Sequence, residues 1–352
     1  MKKLFLSAAF LAASLASQAQ QAPLWMRYPA ISPDGKTIVF SYKGDIYSVP
    51  ATGGEARQLT TNAAHDSYPI WSPDGKKIAF ASNREGSFDV YVMSAHGGAP
   101  TRITTNSERE IPVAFKDNDH VLFSANIMPT AESNLFASRE FSQVYEVSTQ
   151  GGRPKLYSVI PMEDISINAK GQVLYHDSKG YEDQWRKHHT SPITRDIWML
   201  DNGKYQKITA FKGEDRTPVW AADGESFYYL SEQAGSFNIY HRNIATGKDV
   251  QLTHEKKNPI RFLTSSADGL LCYGYDGEIY TVKEGAQPQK VNISITADND
   301  EPSLVRQVRS WGATEIALSP DAKEVAFVMH GDVYVTSTEY LSLIHISEPT
   351  RP

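Results

Sequence analysis

Apolar and polar positions alternate in short runs along almost the whole chain. Tyr68-Pro69-Ile70-Trp71 is an apolar run, and Lys77-Ile78-Ala79-Phe80 alternates. Alternation over four or more residues marks a half-buried strand. Between these two runs lies Ser72-Pro73-Asp74-Gly75. Proline presets φ for a turn, aspartate bonds its own backbone, and glycine accepts positive φ. The segment therefore reads as a hairpin. Ser32-Pro33-Asp34-Gly35 carries the same motif 40 residues earlier. Looser copies are Asn168-Ala169-Lys170-Gly171, Ala221-Ala222-Asp223-Gly224 and Ser266-Ala267-Asp268-Gly269. Lys116-Asp117-Asn118-Asp119 lacks the glycine but keeps turn character.

A third strand follows each hairpin, with a polar, a β-branched and an aromatic residue in succession. The cases are Asp45-Ile46-Tyr47, Asp89-Val90-Tyr91, Gln143-Val144-Tyr145, Asp196-Ile197-Trp198, Asn238-Ile239-Tyr240, Glu278-Ile279-Tyr280 and Asp332-Val333-Tyr334. A fourth strand is expected at Gln58-Leu59-Thr60, Arg102-Ile103-Thr104, Lys155-Leu156, Lys207-Ile208-Thr209, Gln251-Leu252-Thr253 and Lys290-Val291. Four strands in about 40–45 residues is the length of a propeller blade. One twisted blade cannot bury both faces alone, so blades stack radially in a closed set.

The pattern predicts an all-β chain. A six-bladed β-propeller of four-stranded antiparallel blades occupies 22–295, with blades at 28–61, 68–105, 110–157, 162–210, 215–254 and 258–293. A polar linker at 296–312 leads to a seventh copy at 313–340, read as the first strands of a second propeller. That unfinished unit is expected to expose unpaired strands. Residues 341–352, LSLIHISEPTRP, depart from the repeat just where it predicts a turn and a fourth strand. They read as translated sequencing adapter joined at a contig edge, so a non-native tail is expected there.

Composition then narrows the setting. A formal net charge of −6, without a basic cluster beyond the first residues, speaks against nucleic acid. Lys2 and Lys3 precede an apolar run from Leu4 to Ala16, and Ser17-Gln18-Ala19 offers small residues for cleavage. The run is too short to span a bilayer. Residues 1–19 therefore read as a signal peptide cleaved after Ala19, giving a periplasmic or secreted protein with no membrane span. The single cysteine, Cys272, sits in an apolar strand and is expected to be buried and inert.

Catalytic motifs are sought without success. There is no Gly-x-Ser-x-Gly elbow, no His-Glu-x-x-His and no phosphate-binding glycine loop. No catalytic residue, cofactor or metal ligand is assigned. Adjacent His188 and His189 would point to opposite faces of a strand, and no Cys or third His lies nearby. The recurring acids Asp45, Asp89, Asp196 and Asp332 point to a structural job, satisfying backbone donors at a strand start. The aromatic residues beside them are expected to pack between blades. Two insertions, 126–141 and 178–194, stretch the third and fourth blades. The second holds Tyr181, Trp185, Arg186, Lys187, His188 and His189, a candidate contact surface for peptide or another domain.

The Ser-Pro-Asp-Gly-Lys-Lys-Ile-Ala-Phe stretch at 72–80 resembles the repeat of TolB, prolyl-oligopeptidase-type enzymes and tricorn-type proteases. The segment 187–198 and the stretch Gly312-Ala313-Thr314-Glu315-Ile316-Ala317-Leu318-Ser319-Pro320 resemble tricorn-like serine proteases more specifically. The resemblance covers nearly all of 22–340. It implies a larger parent of two propellers, a PDZ domain and a C-terminal-processing (S41) peptidase core, whose catalytic residues do not map onto this chain. It also implies a peptide-gating role, with peptides, unfolded polypeptide and those C-terminal domains as partners; a homo-oligomer is compatible with it. The family's Arg-Arg carboxylate anchor is not matched by Asn106-Ser107-Glu108-Arg109-Glu110. The alternative is a stand-alone, non-catalytic TolB-like binding module of the cell envelope.

Overall fold

A computed structural model describes residues 23–127, 141–180, 191–296, 311–329 and 332–339, with the backbone of 343–346. Among these residues there is no helix, hence none long and apolar enough to cross a membrane. The strands form seven antiparallel meanders of four, each following chain order.

In the first six, the opening strands are Arg27–Ile31, Asp66–Trp71, Ile111–Phe115, Met162–Ile167, Asp215–Trp220 and Arg261–Ser265. Each packs against the opening strands of the blades before and after it, and the sixth packs against the first. The ring therefore returns on itself, as a six-bladed propeller requires. Side chains tie neighbours together: the Trp71 indole donates to the Ala30 carbonyl at 2.9 Å, and Trp220 to Ser166 at 3.1 Å.

Closure is also covalent in effect. After the sixth blade the chain returns to the first, where Ile293–Ile295 adds a parallel strand to Gly54–Gln58. The Gly54 amide bonds the Asn292 carbonyl at 2.8 Å. Gly53 has φ +89°, and a Cβ there would lie 2.6 Å from the Asn292 oxygen. This explains one half of the paired glycines visible in the sequence.

The hairpin motif works as its residues suggest. Ser72 Oγ donates to Asp74 at 2.7 Å, Asp74 accepts the Lys76 amide, and the Lys77 amide bonds Ser72 Oγ. The third-strand aromatics pack between blades as expected, and they pair inside a blade as well. Within the blade they lie directly across from a second-strand ring: Phe40 with Tyr47, Phe80 with Tyr91, Phe123 with Tyr145 and Tyr273 with Tyr280. Ring centroids lie 5.6–5.9 Å apart. Such pairs add about 0.5–1.5 kcal/mol beyond their burial. Each pair then joins a cluster shared with a neighbour, as Phe80 and Tyr91 do with Ile46 and Leu59.

A correction concerns the fourth strands. Gly54–Gln58 stops before Leu59-Thr60, which forms a latch back to the third strand. Thr60 Oγ1 accepts the Ile46 amide and donates to Asp45, both at 2.9 Å. Thr104, Thr209 and Thr253 accept the amides of Val90, Ile197 and Ile239 in the same way. Each threonine thus satisfies an amide near the start of a third strand. In blades one and five the polar residue of the motif holds its hydroxyl, and in blades two and four the next blade's acid, Glu110 or Asp215, takes that place.

Cys272 is fully buried in the cluster joining blades six and one, and burial pushes its thiol far up. The seventh meander comprises Ala313–Leu318, Glu324–Met329, Asp332–Ser337 and Leu343–Ile346. Its strands pair with one another, so the expectation of unpaired strands is corrected. Its first strand leaves Ile316 and Leu318 72% and 64% exposed.

Gly53→Ala is expected to lower unfolding stability by about 1–3 kcal/mol in denaturant titration, because both φ and space are wrong for a side chain.

Candidate functional site

In an antiparallel meander the start of the first strand and the link between the second and third lie at the same end. Both insertions are links of that kind, so their roots sit where the opening strands begin. Lys179 fixes one root: its ammonium bonds the Thr194 carbonyl at 2.6 Å and pairs with Asp196. Gly180 lies against Ile193. Tyr181, Trp185, Arg186, Lys187, His188 and His189 lie outside the described residues, as does most of the third-blade insertion.

What the structure places at this end was not read from the sequence. Five opening strands carry a β-bulge whose second residue is left-handed: Tyr28, Tyr68, Asp164, Thr217 and Phe262, at φ +50° to +59°. Blade three has Pro112 in that position, where the ring forbids positive φ. Each left-handed non-glycine costs about 1 kcal/mol or more. The bulge turns these side chains toward the centre of the ring of blades, where Tyr28 meets Tyr68 and Phe262, and Thr217 meets Asp164. The only sequence signal was a bulky or polar residue four before each turn, which alternation alone does not mark.

The ring has two unlike arcs. Across blades six, one and two it is aromatic. Tyr28 lies 4.0 Å from Tyr68 and 4.8 Å from Phe262, centroid to centroid, and the two tyrosine hydroxyls bond at 3.0 Å. Burial pushes the Tyr28 hydroxyl far up. Arg109 donates to the Tyr68 hydroxyl at 3.1 Å and sits over the Tyr68 and Phe88 rings. It is the one arginine of the 106–110 loop, which does not match a paired anchor.

Across blades four and five the ring is ionic. Thr217 Oγ1 donates to Asp164 at 2.6 Å. His176 Nδ1 accepts the Thr217 amide at 3.3 Å, which leaves the proton on Nε2, 3.0 Å from Glu163. Arg195 bridges Glu163 and Glu214 at 3.3 and 3.4 Å, and Arg216 reaches Glu214 at 3.2 Å. Burial would raise the Glu163 pKa, but His176 and Arg195 outweigh it and hold it at about 2. Glu163 and Glu214 are tied to bases and Asp164 to the Thr217 hydroxyl, so the arc is a held, charged wall. Among the described residues no group of His, Cys, Asp and Glu has metal-site geometry.

With its folded pKa depressed, Glu163 contributes stability that is present above about pH 4.5 and lost as pH falls toward 2. Glu163→Gln should therefore show a flatter acid limb than the wild type over that window in chemical denaturation.

Comparison with known proteins agrees with this geometry. Residues 23–288 match the family model for the tricorn protease N-terminal beta propeller domain. A crystal structure of the tricorn protease superposes with a TM-score of 0.66 at 20% identity, covering 94% of this chain and 32% of that one. The chain thus spans about a third of that protein's length. A puromycin-hydrolysing peptidase from Mycobacterium tuberculosis is 14% identical with a TM-score of 0.47, over 71% of this chain and 42% of its own. An oligogalacturonate lyase from Vibrio parahaemolyticus is 15% identical with a TM-score of 0.47, over 90% of each chain. At these identities the likeness concerns fold alone. No curated protein matches the chain by sequence. On the family model, which spans most of its length, this chain belongs to the tricorn protease N-terminal β-propeller family.

Proposed function

We propose that this propeller gates and orients peptides for a larger exported serine peptidase of the tricorn type, and itself performs no chemistry. The observation that carries the reading is the axial ring. Three aromatic side chains and Arg109 form one arc, where peptide rings can stack and a carboxylate or carbonyl can be bonded. The opposite arc is a fixed ionic wall that discriminates by charge. The insertion roots stand at the same end, where loops on a rigid scaffold are suited to recognition. The seventh meander supports a second propeller after the first, and the signal-like residues 1–19 support export to the periplasm or beyond. On this reading the partners are unfolded peptide and the parent's PDZ and peptidase domains.

Calorimetric titration of the purified chain with short unstructured peptides tests this. Binding is expected without cleavage, and Tyr68→Ala should weaken it about tenfold, the loss of one aromatic contact and its hydroxyl bond. Tyr205→Ala, on an exposed outer strand, should leave affinity unchanged. A wild-type chain that binds no peptide, or a Tyr68→Ala variant that binds as wild type, would overturn the reading. Cleavage that persists through purification would overturn the non-catalytic part.

A further inference from the structure

The six seams between blades follow a pattern that nothing above requires. By position in the repeat, each seam sets the first residue of one blade's third-strand motif against the residue that opens the next blade. The opening residue is tied across by its amide. Met26, Asp66, Glu110, Asp215 and Ile260 bond the carbonyls of Gly277, Gly44, Phe88, Arg195 and Phe237, at 2.7–3.1 Å. The facing residues divide into two sets. At three seams both are acids: Asp45 with Asp66, Asp89 with Glu110, and Asp196 with Asp215. At two others an amide faces an apolar residue: Gln143 with Met162, and Asn238 with Ile260. At the closing seam Glu278, paired with Lys290, faces Met26.

At the acidic seams one carboxyl of each pair holds the local cations. Arg84 reaches Asp66 at 2.6 Å, Arg102 reaches Asp89 at 2.9 Å, and Lys207, with Lys179, reaches Asp196 at 2.7 Å. The other carboxyl has hydroxyl, amide and acid neighbours. Asp45 meets Thr60, Gln58 and Asp66. Glu110, fully buried, meets the Asn106 amide, Thr104 and Asp89, with Glu85 beyond. Asp215, 1% exposed, meets Ser231, Thr209, Asp196 and Asp249, whose own cation is Arg242. Buried Asp89 Oδ1 and Glu110 Oε1 have no hydrogen-bond donor, as two facing carboxyl oxygens would if a proton lay between them.

We infer that the three acidic seams are proton-operated: one carboxyl at each stays protonated while the seam is shut, and losing that proton loosens these seams and not the others. The step is a simple ionisation. The carboxyl O–H breaks, the proton leaves to solvent, and the pair goes from one negative charge to two. Burial first, then the neighbouring acid, raises Asp45 to about 6, Glu110 to about 7 and Asp215 to about 7. A raised acid stabilises the fold below its unfolded value and loses that contribution as pH rises through its folded one. The window is therefore about pH 4 to 7. At the second of these seams, loosening widens a cleft of about 190 Å³ lined by Glu110, Tyr145, Ile127 and Arg153.

Hydrogen exchange of the whole chain between about pH 5.5 and about pH 8 tests this, after correction for intrinsic exchange. Protection at the Asp66, Glu110 and Asp215 amides is expected to fall about tenfold or more. The Met26 and Ile260 amides should change little. In Glu110→Gln the second seam alone should become pH-independent; if that variant folds poorly, Asp89→Asn should move the second seam's transition to lower pH, because Glu110 then lacks its acidic neighbour. Equal pH slopes at all five amides, or an unchanged slope at the second seam in both variants, would overturn the inference.

Discussion

A four-stranded meander has two faces and can cover neither by itself. Everything else in this protein follows from the way six such sheets cover one another. The opening strands pack into a ring, and cross-strand aromatic pairs fill the space between blades. The ring holds only if the first and last blades meet. Here that task falls to three residues after the sixth blade, which add a parallel strand beside Gly54. The close approach of the Asn292 carbonyl makes Gly53 a condition of closure. Exported without disulfides, the chain would have only this packing to rely on.

The same packing explains why polar residues recur at fixed places. A strand that begins at a blade seam leaves its first amide without a ladder partner. A buried threonine supplies the acceptor, and its hydroxyl is held by the motif's polar residue in blades one and five or by the next blade's acid in blades two and four. The latch repeats in blades one, two, four and five, because the problem repeats. Its cost appears where the next blade also brings an acid, since two carboxyls then share one low-dielectric seam. In most blades the left-handed bulge follows the same logic of position. It bends the innermost strand and lines the axis with a side chain that differs from blade to blade. A repeated backbone thus carries an unrepeated surface, aromatic on one side and ionic on the other.

Much of this was legible along the chain. Hairpin turns, strand alternation and the third-strand motif recur at blade length, and each is a local property of a few consecutive residues. The burial of Cys272 follows from the same local patterns, whereas the backbone donors expected to fall to the recurring acids are satisfied by threonines instead. The fourth strands and the aromatic contacts were less legible. Gln58-Leu59-Thr60 has strand composition, yet Leu59 and Thr60 leave the ladder to serve the Ile46 strand. The third-strand rings lie between blades as their composition implies, but the ring each one faces inside its own blade is set by register, which spacing alone does not write.

The sequence by itself determined the unit and its number, because hydrophobic periodicity and turn chemistry are set within the repeat. Only the tertiary structure decided which units meet, and so how the ring closes, which carboxyls face each other and which side chains line the axis. Tyr28, Tyr68 and Phe262 come from the first, second and sixth blades and touch only after closure. His176 finds Glu163 and Thr217 on two different blades. Contacts between residues so far apart cost chain entropy that no local pattern records, and they form only when the blades bury one another.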